Sequence, residues 1–261
     1  MHKKRFYYIV RLQYLGFRYS GWQKQPGQLT IERMLIKTLK FILPGIEFKI
    51  LGAGRTDAKV SSLNGAFELF VMERELPPLN KFIDLFNTNL PSDIRVTDII
   101  PTTPDFNVIQ QSKRKEYVYL FSYGTKNHPF CAPFLTNVLE NLDIASMREA
   151  AGLFEGTHDF SSYTAKLKAN TTVVREVLSC ELVPNSLLTA NFFPEESFAL
   201  IVNGSGFMRY QIRMMMGALF QVGKGELSIN DIKESLKPNS NIKFTTVAPG
   251  SGLLLNKLSF D

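Results

Sequence analysis

The sequence predicts an α+β protein built from two halves that share one order of strands and helices. Apolar residues alternate as in strands, recur between those strands at helical spacing, and repeat the resulting order after a Pro/Thr/Asp stretch at 101–105. Each half has the order β-α-β-β-α-β of a ferredoxin-like unit, a sheet with helices on one side. We therefore expect an N-terminal half at 1–104 and a C-terminal half at 105–261.

The first half opens with a strand, because apolar and more polar residues alternate over positions 8–14. A helix is predicted next, starting after Thr30, a good N-cap, and ending before the helix-breaking pair Pro44 and Gly45. The remaining predicted elements are strands at 46–51, 66–71 and 94–100 and a helix around 79–86.

The second half repeats the pattern with clear capping signals. Asp143 is placed to cap one helix, and Ser228 with Asp231 three residues later is typical of a capping box at another. A strong apolar stripe predicts a third helix over 208–222. Strands are predicted at 115–123, 173–182, 198–203 and 252–260.

Composition narrows the function classes. The chain has 261 residues, 44% of them hydrophobic, with 30 Lys and Arg against 24 Asp and Glu and a pI of about 9.2. This mild basic excess favours a polyanionic partner without requiring one. Two cysteines and three histidines predict neither a disulfide framework nor a metal site, and fit a reducing cytoplasm. The sequence contains no run of about 18 apolar residues, so no membrane span is predicted.

The clearest candidate for a reaction centre is the glycine-bearing turn at 52–57, Gly-Ala-Gly-Arg-Thr-Asp, between two predicted strands. Its glycines allow a tight bend and a close backbone approach. Arg55 provides a planar, permanently charged donor fork two residues before the carboxylate of Asp57. The arrangement suits an anionic ligand that is held and then acted on.

Two further patterns leave alternatives open. The strand at 115–123 presents four aromatic rings to one face, and such a row stacks on bases or forms core; pattern alone favours core. Arg209 and Arg213 lie four residues apart on one helix face, either as a solvated pair or as a phosphate or carboxylate clamp.

Seven short blocks lie in order along nearly the whole chain. They are GWQKQ at 21–25, GRTDA at 54–58, LPSDIR at 90–95, KEYVY at 115–119, GTHDF at 156–160, FMRYQIR at 207–213 and APGSGLL at 248–254. On these blocks the chain resembles the tRNA pseudouridine synthase A (TruA) family.

The resemblance implies two ferredoxin-like halves joined in one mostly antiparallel sheet, with helices on one face and an active-site cleft between the halves. It also implies a cytoplasmic homodimer that binds tRNA and works without metal or organic cofactor. Members break the bond between ribose and N1 of a uridine, turn the uracil and rejoin it through C5. The implied targets are positions 38 to 40 in the anticodon arm of tRNA.

By resemblance, Asp57 is the catalytic carboxylate, Tyr117 stacks on the target base and Arg213 pairs with Asp57. A neighbouring guanidinium favours the ionised form of the carboxylate. Asp57 must be ionised whether it attacks the sugar or removes a proton from it. The sequence does not choose between those two routes.

Four further residues are expected to bind the substrate. Arg55 displaces the target uridine from its stack, and Thr56, Lys59 and Arg209 contact the RNA. Other cations that could contact phosphates, or remain solvated surface, are Lys3, Lys4, Arg5, Lys113, Arg114, Lys115 and Lys166.

The chain departs from the family pattern around these residues. After the aspartate the family has Ala-Gly-Val-His-Ala, whereas here Lys59 replaces the glycine and Ser61 the histidine. Arg209 and Tyr210 stand where many members have two histidines. Further departures are Leu15, Asn107 and Ile109. An RNA-binding paralogue with reduced or altered catalysis or another RNA target therefore stays open, as does a small-molecule enzyme or interaction module on the same scaffold.

Other notable residues are predicted to be structural. Trp22 should pack a loop, His158 and Asp159 should fix a turn, and Cys180 should be a small buried hydrophobe.

Overall fold

The structure, a computed structural model, describes residues 4–165 and 171–260. Two compact units are present: the first runs up to Lys113 and includes the chain from Leu255 onward, and the second runs from Arg114 to Leu254. Lys3 and Lys166, two of the cations expected to contact RNA, lie outside the described residues. The division into folding domains 1–104 and 105–261 stays a prediction.

The first unit has the predicted β-α-β-β-α-β order. Its elements are β1 (Arg5–Tyr14), α1 (Ile31–Ile42), β2 (Phe48–Gly52), β3 (Ser61–Met72), α2 (Leu79–Asn89) and β4 (Ile94–Thr102). Strand β1 lies between β4 and β3, β2 pairs with β3, and all three pairings are antiparallel. The C-terminal strand (Leu253–Phe260) lies along the other side of β3.

One face of this first sheet carries the helices and the main core. Val10 and Leu12 of β1 and Phe67 of β3 point into that core and are fully buried with Leu35 of α1 and Phe86 of α2. Each such side chain contributes roughly 1.5–3 kcal/mol by leaving water. Thr30 caps α1 as predicted, its side chain accepting a hydrogen bond from the amide of Arg33.

The second unit is also α+β. Its elements are β5 (Ser112–Tyr123), β6 (Thr136–Val138), α3 (Ile144–Gly152), β7 (Gly156–Asp159), β8 (Val174–Pro184), β9 (Phe198–Gly204), α4 (Gln211–Gly223) and α5 (Ile229–Ser235), before β10, the C-terminal strand already described. Strands β5, β9, β8 and β7 pair antiparallel in that order, and β6 adds a parallel edge to β5. The predicted α+β class and mostly antiparallel pairing are confirmed.

Two of the four rings in the aromatic row of β5 belong to the core, the interpretation that the pattern favoured. Tyr119 and Phe121 are fully buried, and both rings meet Phe220 of α4 edge to face. Tyr117 and Tyr123, the first and last rings of the row, are half-buried. The strand therefore fixes α4 through its two central rings.

Helix α4 is packed closely by the segment that precedes β10, which we call the tail segment (residues 246–250). A Cβ built on Gly217, in the middle of α4, would lie 2.3 Å from the carbonyl oxygen of Thr246. Backbone therefore packs directly on backbone here. Within residues 4–165 and 171–260, no helix combines the length and apolar character needed to cross a membrane.

Gly217→Ala should destabilise the protein by about 1–3 kcal/mol, because the added methyl overlaps a backbone carbonyl that cannot rotate away. In an ordinary helix the same change would stabilise by up to about 1 kcal/mol. Gly152→Ala in α3 is the matched control, since nothing lies within 4 Å of its added Cβ. Thermal unfolding should show opposite effects, and a Gly217→Ala protein as stable as the parent would contradict this packing.

Candidate active site

Asp57 lies in the connection between β2 and β3, which we call the Asp57 loop (residues 53–60). Asp57 is half-buried, whereas Arg55 is exposed. The segment at 14–22, which follows β1, runs alongside this loop. The Trp22 amide donates to the carbonyl of Thr56 at 3.0 Å, and the Lys59 amide donates to the carbonyl of Tyr19 at 3.0 Å. The loop backbone is therefore held on both sides of the aspartate.

Two glycines make that close approach possible. A Cβ on Gly16 would lie 1.9 Å from the carbonyl oxygen of Val60, and a Cβ on Gly21 would lie 2.6 Å from that of Thr56. Gly21 also has φ +93°, a conformation that side chains disfavour. Only glycine fits at these two positions, because the opposing groups are backbone atoms that cannot move independently.

Side chains complete the support of the loop. The hydroxyls of Tyr14 and Thr56 share a hydrogen bond of 2.9 Å, so the residue next to Asp57 is fixed from β1. Trp22 is buried, with ring centroids 6.2 Å from Tyr14 and 6.4 Å from Phe67. Its indole lies over Gly52, where a Cβ would come within 2.5 Å of Nε1. The predicted structural role of Trp22 is confirmed.

Asp93, from the LPSDIR block, holds the segment at 14–22 in place. Its carboxylate forms an ion pair with Arg18 and accepts a hydrogen bond from the Tyr19 hydroxyl at 2.7 Å. Burial alone would raise the pKa of the Asp93 carboxyl, but the hydrogen bonds from Arg18 and Tyr19 outweigh burial and lower that pKa. Asp93 thus acts on the Asp57 loop through Tyr19.

In the second unit, Tyr117 lies on β5 and meets Phe207 edge to face with the ring centroids 5.5 Å apart. The Phe207 ring lies over Gly204 of β9, where an added Cβ would come within 2.8 Å of it. Phe207 is a residue that the sequence reasoning missed as a support of Tyr117. Its position at the start of the FMRYQIR block was the available signal.

Arg213 lies in the first turn of α4 and is tied to the tail segment. Its Nε donates to the carbonyl of Ala248 at 2.7 Å, while the Ala248 amide donates to the carbonyl of Arg213 at 3.0 Å. Tyr119 donates from its hydroxyl to the neighbouring carbonyl of Pro249 at 2.8 Å and shares a hydrogen bond with Thr136. The guanidinium edge that carries Nε is thereby fixed in place.

Burial raises the pKa of Tyr119 well above its ordinary value, although its bond to Thr136 and the charge of Arg213 act in the opposite direction. Tyr119 is therefore neutral at physiological pH and serves to hold the tail segment. Burial also lowers the pKa of Lys115, a half-buried residue two positions before Tyr117.

The other residues assigned structural roles have local partners. His158 bonds through Nε2 to the carbonyl of Glu155 at 2.7 Å, and Asp159 accepts from the amide of Ser161 at 2.8 Å. Cys180 is buried, and burial raises the pKa of its thiol. Among the described residues, no three His, Cys, Asp or Glu side chains are grouped so that they could hold a metal ion.

Comparison with known proteins identifies the family. Residues 150–261 match a family model described as tRNA pseudouridine synthase. A tRNA pseudouridine synthase A of Shouchella clausii is 30% identical over 253 residues, covering 96% of this chain and 92% of its own. One of Geotalea uraniireducens is 32% identical over 244 residues, covering 94% and 95%. The chain belongs to the tRNA pseudouridine synthase A family.

A third relative, tRNA pseudouridine synthase A 2 of Bacillus cereus, is 30% identical over 254 residues and covers 97% of this chain and 99% of its own. Among solved structures, a chain of a Cbf5-Nop10-Gar1 complex matches with 14% identity and a TM-score of 0.30, covering 99% of this chain and 58% of that one.

Two departures from the family pattern, Lys59 and Ser61, have defined local roles in and beside the Asp57 loop. Lys59, at the family's glycine, has φ +67° and so adopts a conformation that glycine prefers. Its Nζ lies 5.5 Å from the ring centroid of Phe17. Ser61, at the family's histidine, accepts a hydrogen bond from the Gly16 amide at 2.9 Å. Lys59 therefore places a charge at a bend that glycine would adopt without strain.

Lys59→Gly should stabilise the protein by up to about 1 kcal/mol, because relief of the left-handed backbone exceeds the added entropy of the unfolded chain. Ala58→Gly is the control: Ala58 has no positive φ, so glycine there should destabilise by about 0.5–1 kcal/mol. Lys59→Ala removes the charge and leaves the strain. Denaturant unfolding of the three proteins checks the order, and a destabilised Lys59→Gly would contradict it.

Asp93→Asn should lower stability near neutral pH by about 1 kcal/mol, a modest loss because Arg18 is half exposed and screened by solvent. The folded pKa of Asp93 is lowered, so its contribution is present above the unfolded value of about 3.9 and lost as pH falls through the folded value. The stability gap between parent and variant should therefore narrow below about pH 4. Asp105→Asn, at an exposed loop position, should show no such gap.

Proposed function

We propose that this protein is a tRNA pseudouridine synthase that isomerises uridine in the anticodon arm. The observation that carries the proposal is family membership along nearly the whole chain, together with Asp57, Tyr117 and Arg213 at their motif positions on firmly held backbone. The enzyme acts in the cytoplasm as a homodimer and uses the chemistry of its own side chains.

The reaction conserves all atoms of the nucleotide. The bond from the ribose to N1 breaks, the uracil turns, and a bond from the ribose to C5 forms. C5 loses its hydrogen as a proton, and N1 gains a proton. Asp57 enters as a carboxylate, either attacking the sugar or removing a proton from it. Arg213 favours that ionised form through its permanent charge, and Tyr117 stacks on the base.

The substrate-binding residues match what a flipped uridine requires. Arg55 is exposed on the Asp57 loop, where a guanidinium can enter the stack that the target base leaves. Lys59 and Arg209 are exposed as well and can reach phosphates. Thr56, which lies between Arg55 and Asp57, is held by its hydrogen bond to Tyr14 and so fixes the loop at that point.

Asp57→Asn should abolish pseudouridine formation, because the amide keeps the shape of the carboxylate but neither attacks carbon nor accepts the proton. Purified protein is incubated with total tRNA from a strain lacking the endogenous enzyme, and pseudouridine is mapped by carbodiimide chemistry. Binding of the tRNA should stay within a few-fold of the parent.

Asp84→Asn, on the exposed side of α2, is the matched control and should modify tRNA like the parent. An Asp57→Asn protein that still modifies tRNA would remove Asp57 from the mechanism. A parent protein that produces no new sites in any tRNA would remove the proposed activity itself.

A second candidate is modification of a different RNA by the same chemistry. It is favoured by Lys59 and Arg209, charged residues where the family has glycine and histidine. Both residues are exposed, so each adds a contact available to phosphate. Adding ribosomal RNA and total small RNA to the same mapping experiment separates the two candidate functions. Pseudouridine found only in RNAs other than tRNA would support modification of a different RNA. Weak binding with little dependence on salt would instead favour a small-molecule enzyme.

A further inference from the structure

A polar groove lies on the face of the first sheet that is opposite its helices. Val10 and Leu12 point into the core under those helices, so Arg11 between them points to the other face. The groove has a volume of about 440 Å³ and is lined by residues of β1, β3, β4 and β10, all of them in the first unit. Its size lies in the range of pockets that bind small organic ligands.

Arg11 lines this groove and is held by contacts that use only part of its guanidinium. Nη1 donates to the side-chain oxygen of Asn64 at 3.1 Å and to the carbonyl of Leu258 at 2.7 Å. The guanidinium carbon lies 4.7 Å from the ring centroid of Phe260, and that ring meets Phe106 edge to face. Within residues 4–165 and 171–260, the Nε and Nη2 groups of Arg11 have no hydrogen-bond partner. The edge formed by these two groups suits a pair of acceptors on a planar ligand.

Asp98 provides a carboxylate opposite Arg11. The two residues are direct partners in the antiparallel pairing of β1 with β4, so their side chains share one face of the sheet. Burial lowers the pKa of Arg11, and the charge of Asp98 acts in the opposite direction. In the described part of the chain they form no ion pair, because Arg11 is bonded to β3 and β10 on its other side. The groove therefore offers a donor edge and an exposed carboxylate on neighbouring strands.

The chemistry of these two groups selects among ligands. A phosphate would accept from Arg11 but would be repelled by the carboxylate of Asp98. Guanine has two adjoining acceptors, N7 and O6, which an arginine edge recognises, followed by two adjoining donors, N1 and the N2 amino group, which suit a carboxylate. Adenine and cytosine each offer the carboxylate a single amino group. Guanine is therefore the base that satisfies both side chains completely.

We propose that the groove binds a guanine base, with Arg11 donating to N7 and O6 and Asp98 accepting from N1 and N2. One source of such a base is a guanosine unstacked from an RNA strand, and the other is a free guanine nucleotide. The ring of Phe260 and the bonds to Asn64 and Leu258 fix the guanidinium before the ligand arrives. The inference goes beyond the proposed function and does not depend on it, because binding requires no turnover.

The test measures binding of GMP, AMP, CMP and inorganic phosphate to the full chain by isothermal titration calorimetry. GMP should bind about tenfold more tightly than AMP or CMP, and inorganic phosphate should not displace it. Asp98→Asn should abolish this preference, because an amide cannot accept from both donors of guanine. The variant should fold normally, since its side-chain oxygen can still accept the amide of Ile99. Asp84→Asn is the matched control and should bind GMP like the parent.

A second experiment distinguishes the two sources of the base. Fluorescence anisotropy compares a short oligoadenosine RNA with the same RNA carrying one central guanosine. Guanine preference in the RNA alone identifies an unstacked guanosine as the ligand, and preference for GMP as well identifies a site open to free nucleotide. Either result supports the inference only if Asp98→Asn removes the preference.

Three results would overturn the inference: no guanine preference in either experiment, a preference that Asp98→Asn retains, or displacement of GMP by inorganic phosphate. A parent protein that modifies tRNA but shows no guanine preference would keep the proposed function and lose this site. A parent protein without activity that binds guanine through Asp98 would keep the site and lose the proposed function.

Discussion

The structure of the first unit depends on one backbone contact, the approach of the 14–22 segment to the Asp57 loop with no side chain between them. Gly16 and Gly21 lie so close to loop carbonyls that any Cβ would overlap them. The segment is held in turn by α1, whose first amides, on Ile31 and Glu32, donate to the carbonyls of Gly21 and Trp22. Those bonds satisfy helix amides that would otherwise lack partners. Packing of α1 on the sheet therefore fixes the position of the loop, and the loop fixes the aspartate.

The second unit uses the same device on a different element. The tail segment lies on Gly217 of α4 without an intervening side chain, and bonds from Arg213 and Tyr119 hold two successive tail carbonyls. Tyr119 is therefore a core residue that acts on Arg213 through the tail segment. Its hydroxyl holds the carbonyl of Pro249, which follows the carbonyl of Ala248 that Arg213 binds. A side chain that must stay within about 0.5 Å of a productive position needs support of this kind from rigid elements. Buried rings and glycines supply it here.

The sequence was a good guide wherever local chemistry decides the structure. The caps at Thr30, Asp143 and Ser228 are formed as predicted, because each side chain needs only an amide three residues away. Strands β6 and β7 were missed, since three or four residues are too few to show a period of two. The left-handed backbone at Lys59 and Tyr210 could not be predicted either. Neither residue type favours that conformation, which the surrounding hydrogen bonds impose.

The substitutions that separate this chain from the family pattern follow one physical rule. At Lys59 and Tyr210 the backbone keeps an unusual conformation despite a side chain that disfavours it, and Ser61 supplies an acceptor for Gly16 where the family has histidine. A loop that had lost its purpose would be free to relax such strain, because the strain lowers stability. The charge, by contrast, differs: Lys59 and Arg209 are exposed cations where the family pattern has glycine and histidine. Exposed cations at such positions can contact phosphates, and phosphate contacts set orientation on an RNA without entering the chemistry.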